Sequence, residues 1–291
     1  MNKSIPKILI IIQARRGSSR LPDKIFLPLA EKPLLLRMYE RVASSNTKKE
    51  IVVATTTDYH DDEVIKLCLS NNINFFRGHP ADLLDRHYKA ALEFEADIVV
   101  KIPSDCPLIC PVVIDQVLEF YLNNKDDFDF VSNLHPASFP DGNDVEVMSF
   151  STLETAWKEA DKDFEREHTT PYLWERPERF RIGNVKWDTG LDLSMSHRFT
   201  IDYKEDYEFI KRIYDELYDS HNIFTLCDIM MLLDRKPEIK NINEMYAGVN
   251  WYRNHLDELK TISLSQTSNV KRKTQEKRCK KRDQNKFTLH D

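Results

Sequence analysis

The sequence predicts an α/β fold in which a mostly parallel sheet is covered by helices on both faces. Short apolar runs without polar alternation (KILIII, EIVVAT, INFF, DIVVKI, FDFVS) read as strands buried on both sides. Longer segments of helical period lie between them: LLLRMYERVA, DDEVIKLCLSNN, ADLLDRHYKAALEFE and PVVIDQVLEFYLNN. A 41% hydrophobic content over 291 residues supplies enough apolar surface for one large or two modest cores. In such sheets ligands bind outside the carboxyl ends of the strands, so the loops that follow strands are the places to search for function.

The rhythm changes after Asn133. HPASFPDGNDVEVMSF, with two prolines and an Asp-Gly, predicts a loop and then a short strand. Ser151-Thr-Leu-Glu154 reads as a capping box opening the helix that contains Trp157. FRIGNVKW and HRFTIDY read as further strands, EDYEFIKRIYDELY as a helix, and LCDIMMLLDRK as a last helix ending before Pro237. From about Ser263 the apolar pattern fails, and the basic run KRKTQEKRCKKRDQNK predicts a disordered tail over 263–291.

Several classes are not expected from the sequence. No run approaches the length of a membrane span, and the opening MNKSIPKILIIIQ is too short for a signal peptide. Five cysteines without a C-x-x-C pair argue against a disulfide framework or structural zinc and fit a reducing cytoplasm. A net charge of −6 gives no global reason to expect nucleic acid.

The loop after the first strand, ARRGSSRLPDK, concentrates cations around one glycine. Gly17 allows a tight turn and close approach of a ligand, and Ser18 and Ser19 are small donors. Arg15, Arg20 and Lys24 stagger positive charge along the loop, enough for a triphosphate. A solvated basic turn accounts for the same residues equally well. The loop is neither G-x-x-x-x-G-K-[ST] nor G-x-G-x-x-G.

This loop resembles the signature of the cytidylyltransferases that activate acidic sugars, the acylneuraminate and 3-deoxy-manno-octulosonate family. Further segments are similar to landmarks of the branch named for spore-coat polysaccharide synthesis, in its order: IVVATTTDYHDDEVI, FFRGHPADLLDRHYKAA, KIPSDCPLICPVVID, FPDGNDVEVMSF, FEREHTTPY and HRFTIDYKEDY. The resemblance covers residues 7 to about 240. It implies a three-layer α/β/α sandwich with a mainly parallel mixed sheet, of the nucleotide-diphospho-sugar transferase kind. It further implies CTP and Mg2+ as donor and cofactor, CMP transfer to a small acidic acceptor, and a cytoplasmic homodimer serving surface polysaccharide synthesis. One domain of residues 1–262 follows, with a nucleotide half at 7–132 and an acceptor half at 133–262.

Carried onto this chain, the resemblance assigns the CTP phosphates to Arg15, Arg20 and Lys24, with Ala14, Gly17, Ser18, Ser19 and Ser104 beside the nucleotide. Asp105 and Asp202 become the metal and phosphate carboxylates, and with Arg15 and Lys24 the catalytic set. Each aspartate alone is equally well read as a helix or turn cap. Asp85 and Arg86 are assigned to cytosine, with a surface capping pair as the alternative. Polar residues of the second half are expected to face the acceptor: Asn133, Asp141, Asn143, Asp144 and Glu146, then Arg166, Glu167 and His168. Two departures stand out: Ser104 and Asp23 occupy positions where the family often has glycine, and Asp23 is expected to add negative charge near the phosphates. A glycosyltransferase of the same general fold, with a D-x-D metal motif, is the alternative; Asp127-Phe-Asp129 is the candidate, entering a strand rather than leaving one.

Overall fold

The computed structural model describes residues 5–219 and 222–268. Strand β1 (Ile8–Gln13) is followed by a small ribbon, β2 (Pro28–Leu29) with β3 (Lys32–Pro33), and helix α1 (Leu34–Ala43). Then come β4 (Glu50–Thr56), α2 (Asp62–Ser70), β5 (Asn74–Gly78), α3 (Leu83–Glu93), β6 (Ile98–Pro103) and α4 (Pro111–Asn123). The second half adds β7 (Phe130–Ser132), β8 (Glu146–Ser149), α5 (Phe150–Glu159), α6 (Asp163–His168), α7 (Pro171–Trp174) and β9 (Ile182–Asn184). Helices α8 (Lys204–Leu217), α9 (Leu226–Arg235) and α10 (Pro237–Lys240) follow.

One sheet in the order β5-β4-β1-β6-β8-β7-β9 runs through both halves, and β8 lies antiparallel to its neighbours while the other pairings are parallel. Within β1, Ile8, Ile10 and Ile12 enter one core and Leu9 and Ile11 the other. The strand is apolar from Ile8 to Ile12 because both of its faces are covered. No helix among the described residues is long and apolar enough to cross a membrane.

Three local expectations change. HRFTIDY is extended without being a strand: Phe199 N donates to Asp141 O at 2.6 Å and Ile201 N to Asp105 O at 2.9 Å. Its backbone partners are two loops, so no ladder forms. The cap of α5 is Ser149, whose Oγ accepts from Thr152 N at 3.1 Å, and not Ser151. Residues 263–268 are ordered against the body, with Ser268 N donating to Gly248 O at 2.7 Å and Asn250 Nδ2 to Gln266 O at 2.8 Å. The basic run KRKTQEKRCKKR lies outside the described residues.

Candidate active site

From β1 the chain builds outward through β4 to β5, then returns to place β6 on the other side of β1. The loops after β1 and β6 therefore diverge at a switch point, where parallel sheets open a crevice. Gln13 pairs in register with Pro103, and Ser104 N donates to Gln13 O at 3.2 Å, closing the floor of that crevice. Two cavities meet there, of about 790 and 650 Å³. The first takes Ala14, Arg15, Gly17, Ser18, Ser19, Lys24, Arg86 and Ser104; the second takes Asn133, Asp141, Asn143 and Glu146. Arg20, Asp105, His168 and Asp202 line both, so the sequence-predicted carboxylates stand on the shared rim.

Neither aspartate is a cap. The N-terminal turn of α8 is served by Asp206, whose carboxylate accepts from Asp202 N at 2.9 Å and Tyr203 N at 3.0 Å. That leaves the Asp202 carboxylate for cations: Arg20 at 2.7 Å, Arg198 at 3.1 Å and Lys24 at 3.2 Å. Burial opposes its ionisation, but Lys24, Arg20 and Arg198 outweigh burial and hold its pKa below the usual carboxylate range. Asp105 also reaches Lys24, at 3.7 Å, and its side chain keeps 34% exposure against 15% for Asp202. Asp105 O in turn accepts from Thr200 Oγ1 and Ile201 N, each at 2.9 Å, which seats the 199–202 segment beside the β6 loop. Gly142 makes this close packing possible: at φ +106 it faces Phe199 C, which an added Cβ would meet at 2.6 Å.

The basic loop is fixed by a residue that sequence reasoning left out. Arg16 Nε donates to Asp23 Oδ1 at 2.6 Å, and Arg16 N donates to Asp61 Oδ1 at 2.8 Å. Asp23 sits at φ 55, ψ 21, a left-handed conformation that glycine adopts without cost. Its charge is taken up by Arg16 and does not line either cavity, contrary to the expectation of negative charge near the phosphates. Gly17 has no positive φ and an added Cβ would meet nothing within 4 Å, so the chain itself makes no demand for glycine there. Arg15 donates to Pro80 O at 3.4 Å and makes no ion pair among the described residues, leaving its charge for a ligand.

Helix α3 corrects the cytosine assignment. Asp85 turns away from both cavities, accepting from Trp157 Nε1 at 2.9 Å and pairing with Lys89 at 2.9 Å. The cleft-facing acid is Asp82, which caps α3 through Asp85 N at 2.8 Å and accepts from Arg166 Nε at 2.8 Å. Arg86 lines the first cavity, but its guanidinium is bound to the carbonyls of His79 and Pro80 and supports that loop. Arg166 and Glu167, expected on the acceptor side, line the nucleotide-side cavity instead. Their helix α6 packs on α3, and Arg166 is spent on Asp82.

The second cavity is polar at its sheet end. Asn133 Nδ2 donates to Asn143 O at 2.7 Å and Asn143 Oδ1 accepts from Cys110 N at 3.1 Å, so both also brace the loop before β8. Glu146 accepts from Lys101 and, at 2.5 Å, from Thr170 Oγ1. Burial raises the Asp144 carboxyl, with Asp105 adding repulsion, to a pKa of about 6, and raises Asp141 well above its ordinary value. His168 stacks on Trp251 with ring centroids 3.8 Å apart, and burial lowers its pKa to about 3, so the ring is neutral. Lys101, Arg198 and Gln13 were missed from sequence. Lys101 carries a readable signal, a lysine within a strand otherwise buried on both faces, which requires an acidic partner.

Asp105 and Asp202 converge from two chain segments on one cation, the Lys24 ammonium. Two hard oxygen donors at one cationic point match what magnesium takes from protein when nucleotide phosphates supply further ligands. Among the described residues no group of three or more His, Cys, Asp or Glu could hold a metal unaided. Asp129, in the D-x-D alternative, pairs with Arg181 at 2.8 Å at the opposite end of β7 and lines neither cavity.

The family model described as cytidylyltransferase matches residues 9–232. The spore coat polysaccharide biosynthesis protein SpsF of Bacillus subtilis is 29% identical over 79% of this chain and 95% of its own length. A 3-deoxy-manno-octulosonate cytidylyltransferase of Trichlorobacter lovleyi is 35% identical over 40% of this chain and 46% of its own. A solved cytidylyltransferase from Leptospira borgpetersenii serovar Hardjo-bovis superposes with a TM-score of 0.76 at 34% identity, covering 81% of this chain and 97% of that one. With the model spanning most of its length, the chain belongs to the cytidylyltransferase family.

Proposed function

We propose that the protein transfers CMP from CTP to a hydroxyl of an acidic sugar or related small acidic acceptor, releasing pyrophosphate. The observation that carries this reading is the shared rim, where Asp105, Asp202 and Lys24 meet between a basic cavity and a polar one. The acceptor oxygen bonds to the α-phosphorus of CTP as the bond from that phosphorus to its bridging oxygen breaks. The acceptor hydroxyl proton passes to solvent water and the pair of electrons of the broken bond leaves with pyrophosphate.

Arg15, Arg20 and Lys24 would hold the phosphates, and Lys24 neutralises charge on the leaving group. Asp105 and Asp202 would hold a magnesium ion, which supplies charge neutralisation at the phosphates. Catalysis on this reading is positioning and preorganised charge, without a covalent nucleophile. Free thiols at Cys68, Cys106, Cys110 and Cys227 support a cytoplasmic setting, and the family likeness supports a homodimer.

Pyrophosphate release is measured with magnesium, each of CTP, UTP, ATP and GTP, and a panel of acidic sugars and small phosphorylated acceptors, beside Asp105→Ala. CTP-selective, acceptor-dependent release that disappears in the variant is the expected result. Silence with every acceptor overturns the reading.

A further inference from the structure

The acceptor-side cavity is walled by a segment that the family match does not reach. The match ends at residue 232, yet Gly248 to Arg253 and Ser263, Ser265 and Gln266 line this cavity. The wall is firmly held. Arg198 Nη1 donates to Val249 O at 2.6 Å, Glu175 accepts from Lys260 N and from Thr261 N at 2.9 Å, and Leu259 and Ile262 are buried. Trp251 stacks on His168 of the shared rim, and Tyr252 meets Trp174 edge-on at 6.1 Å.

Charge in the cavity is unevenly committed. Lys101 is bound to Glu146, Arg20 to Asp202, and Arg198 to Asp202 and Asp206. Arg253 lines the cavity, and its side chain makes no ion pair or hydrogen bond among the described residues. The loops of the sheet present Asp105, Asp141 and Asp144, and β8 presents Glu146, a cluster of carboxyl groups that disfavours an anion there. An uncommitted guanidinium on the other element of the wall is the group that suits a carboxylate or phosphate. A cavity of about 650 Å³ also has the size of small-ligand sites.

We infer that Arg253 binds the anionic group of the acceptor, and that the C-terminal segment 248–266 selects the acceptor by closing its cavity with Trp251 and Tyr252. This rests on the transferase reading above. The acceptor is then a sugar-sized acid that points its anion toward Arg253 and its hydroxyl toward Asp105 and Asp202.

The test uses the full chain with Arg253→Gln and Arg253→Lys. Pyrophosphate release is followed with CTP and 3-deoxy-manno-octulosonate, N-acetylneuraminate or glycerol 3-phosphate, and KM values are taken with whichever acid reacts fastest. Arg253→Gln is expected to raise the acceptor KM about 10–100-fold, the range for losing a charged hydrogen-bond partner. The CTP KM stays within about twofold, the signature of an interaction made to the acceptor alone. Arg253→Lys recovers part of the loss, which a merely structural role would not require. A working wild type whose Arg253→Gln variant keeps the acceptor KM overturns this inference alone. A wild type silent with all three acids defeats the transferase reading and this inference with it.

Discussion

Lys24 Nζ donates to Ile201 O at 2.7 Å and lies 3.2 Å from Asp202 Oδ1, a residue 178 positions further along the chain. The loop after β1 and the segment before α8 are thereby locked together at the rim of both cavities. Lys24→Gln removes the charge that faces both carboxylates, and kcat/KM for pyrophosphate release is expected to fall about 10²–10³-fold, the usual loss for one preorganised charge contact. Asp202→Asn falls by a similar factor while circular dichroism stays native, because Arg198 keeps Asp206 as its partner. A Lys24→Gln enzyme that retains most of its rate would remove Lys24 from the machinery.

Asp23 pairs a left-handed backbone with an ion pair to Arg16, and two substitutions separate these terms. Asp23→Gly loses a solvent-screened ion pair and relieves a left-handed backbone, two small effects of opposite sign. Its unfolding free energy should therefore match wild type within about 0.5 kcal/mol. Asp23→Ala loses the pair without that relief and should be less stable than both wild type and Asp23→Gly. Urea titration of the three proteins measures the difference; equal losses in both variants would refute the backbone argument.

The cap of α5 gives a sharper local test. Ser149 Oγ accepts from Thr152 N, whereas among the described residues Ser151 Oγ hydrogen-bonds only to Ser149 Oγ, at 2.9 Å. Ser149→Ala should cost about 1 kcal/mol and Ser151→Ala under about 0.5 kcal/mol. Chemical denaturation ranks the two, and the reverse order would return the cap to Ser151.

These cases show what the sequence exposes. Strands such as Ile8–Gln13 were legible because burial on both faces leaves an unbroken apolar run. HRFTIDY alternates Phe199, Ile201 and Tyr203 with polar residues as a half-buried strand would, but its hydrogen bonds go to Asp105 O and Asp141 O, which no local pattern encodes. Asp82 and Asp85 lie three residues apart, and tertiary partners, Arg166 for Asp82 and Trp157 with Lys89 for Asp85, separate the cleft-facing acid from the other. The basic loop and the two carboxylates were legible through their order along the chain. The aromatic wall at Trp251 and Tyr252 was not, because it returns to the site from beyond the family motifs.

The buried titratable groups make stability depend on pH with two opposite signs. Burial, with repulsion from Asp105, lifts the Asp144 pKa to about 6, so the folded chain holds its proton more tightly than the unfolded chain. That contribution is complete below about pH 4 and is lost as pH rises through about 6. Burial lowers His87, His135 and His168 to about 3, so their contribution is present above about pH 6.5 and is lost as pH falls toward 3. Asp144→Asn keeps an oxygen for Gly142 N, which donates to Asp144 Oδ1 at 3.2 Å, and abolishes only the first of these terms. At pH 8 the variant should exceed wild type by on the order of 2 kcal/mol, about 4–8 °C in Tm. The gap should close toward pH 4.5, while both proteins lose stability together below pH 6.5 through the histidines. Scanning calorimetry across pH 4.5–8 measures this, and a variant less stable than wild type at pH 8 would mean that the Asp144 charge is stabilising where it stands.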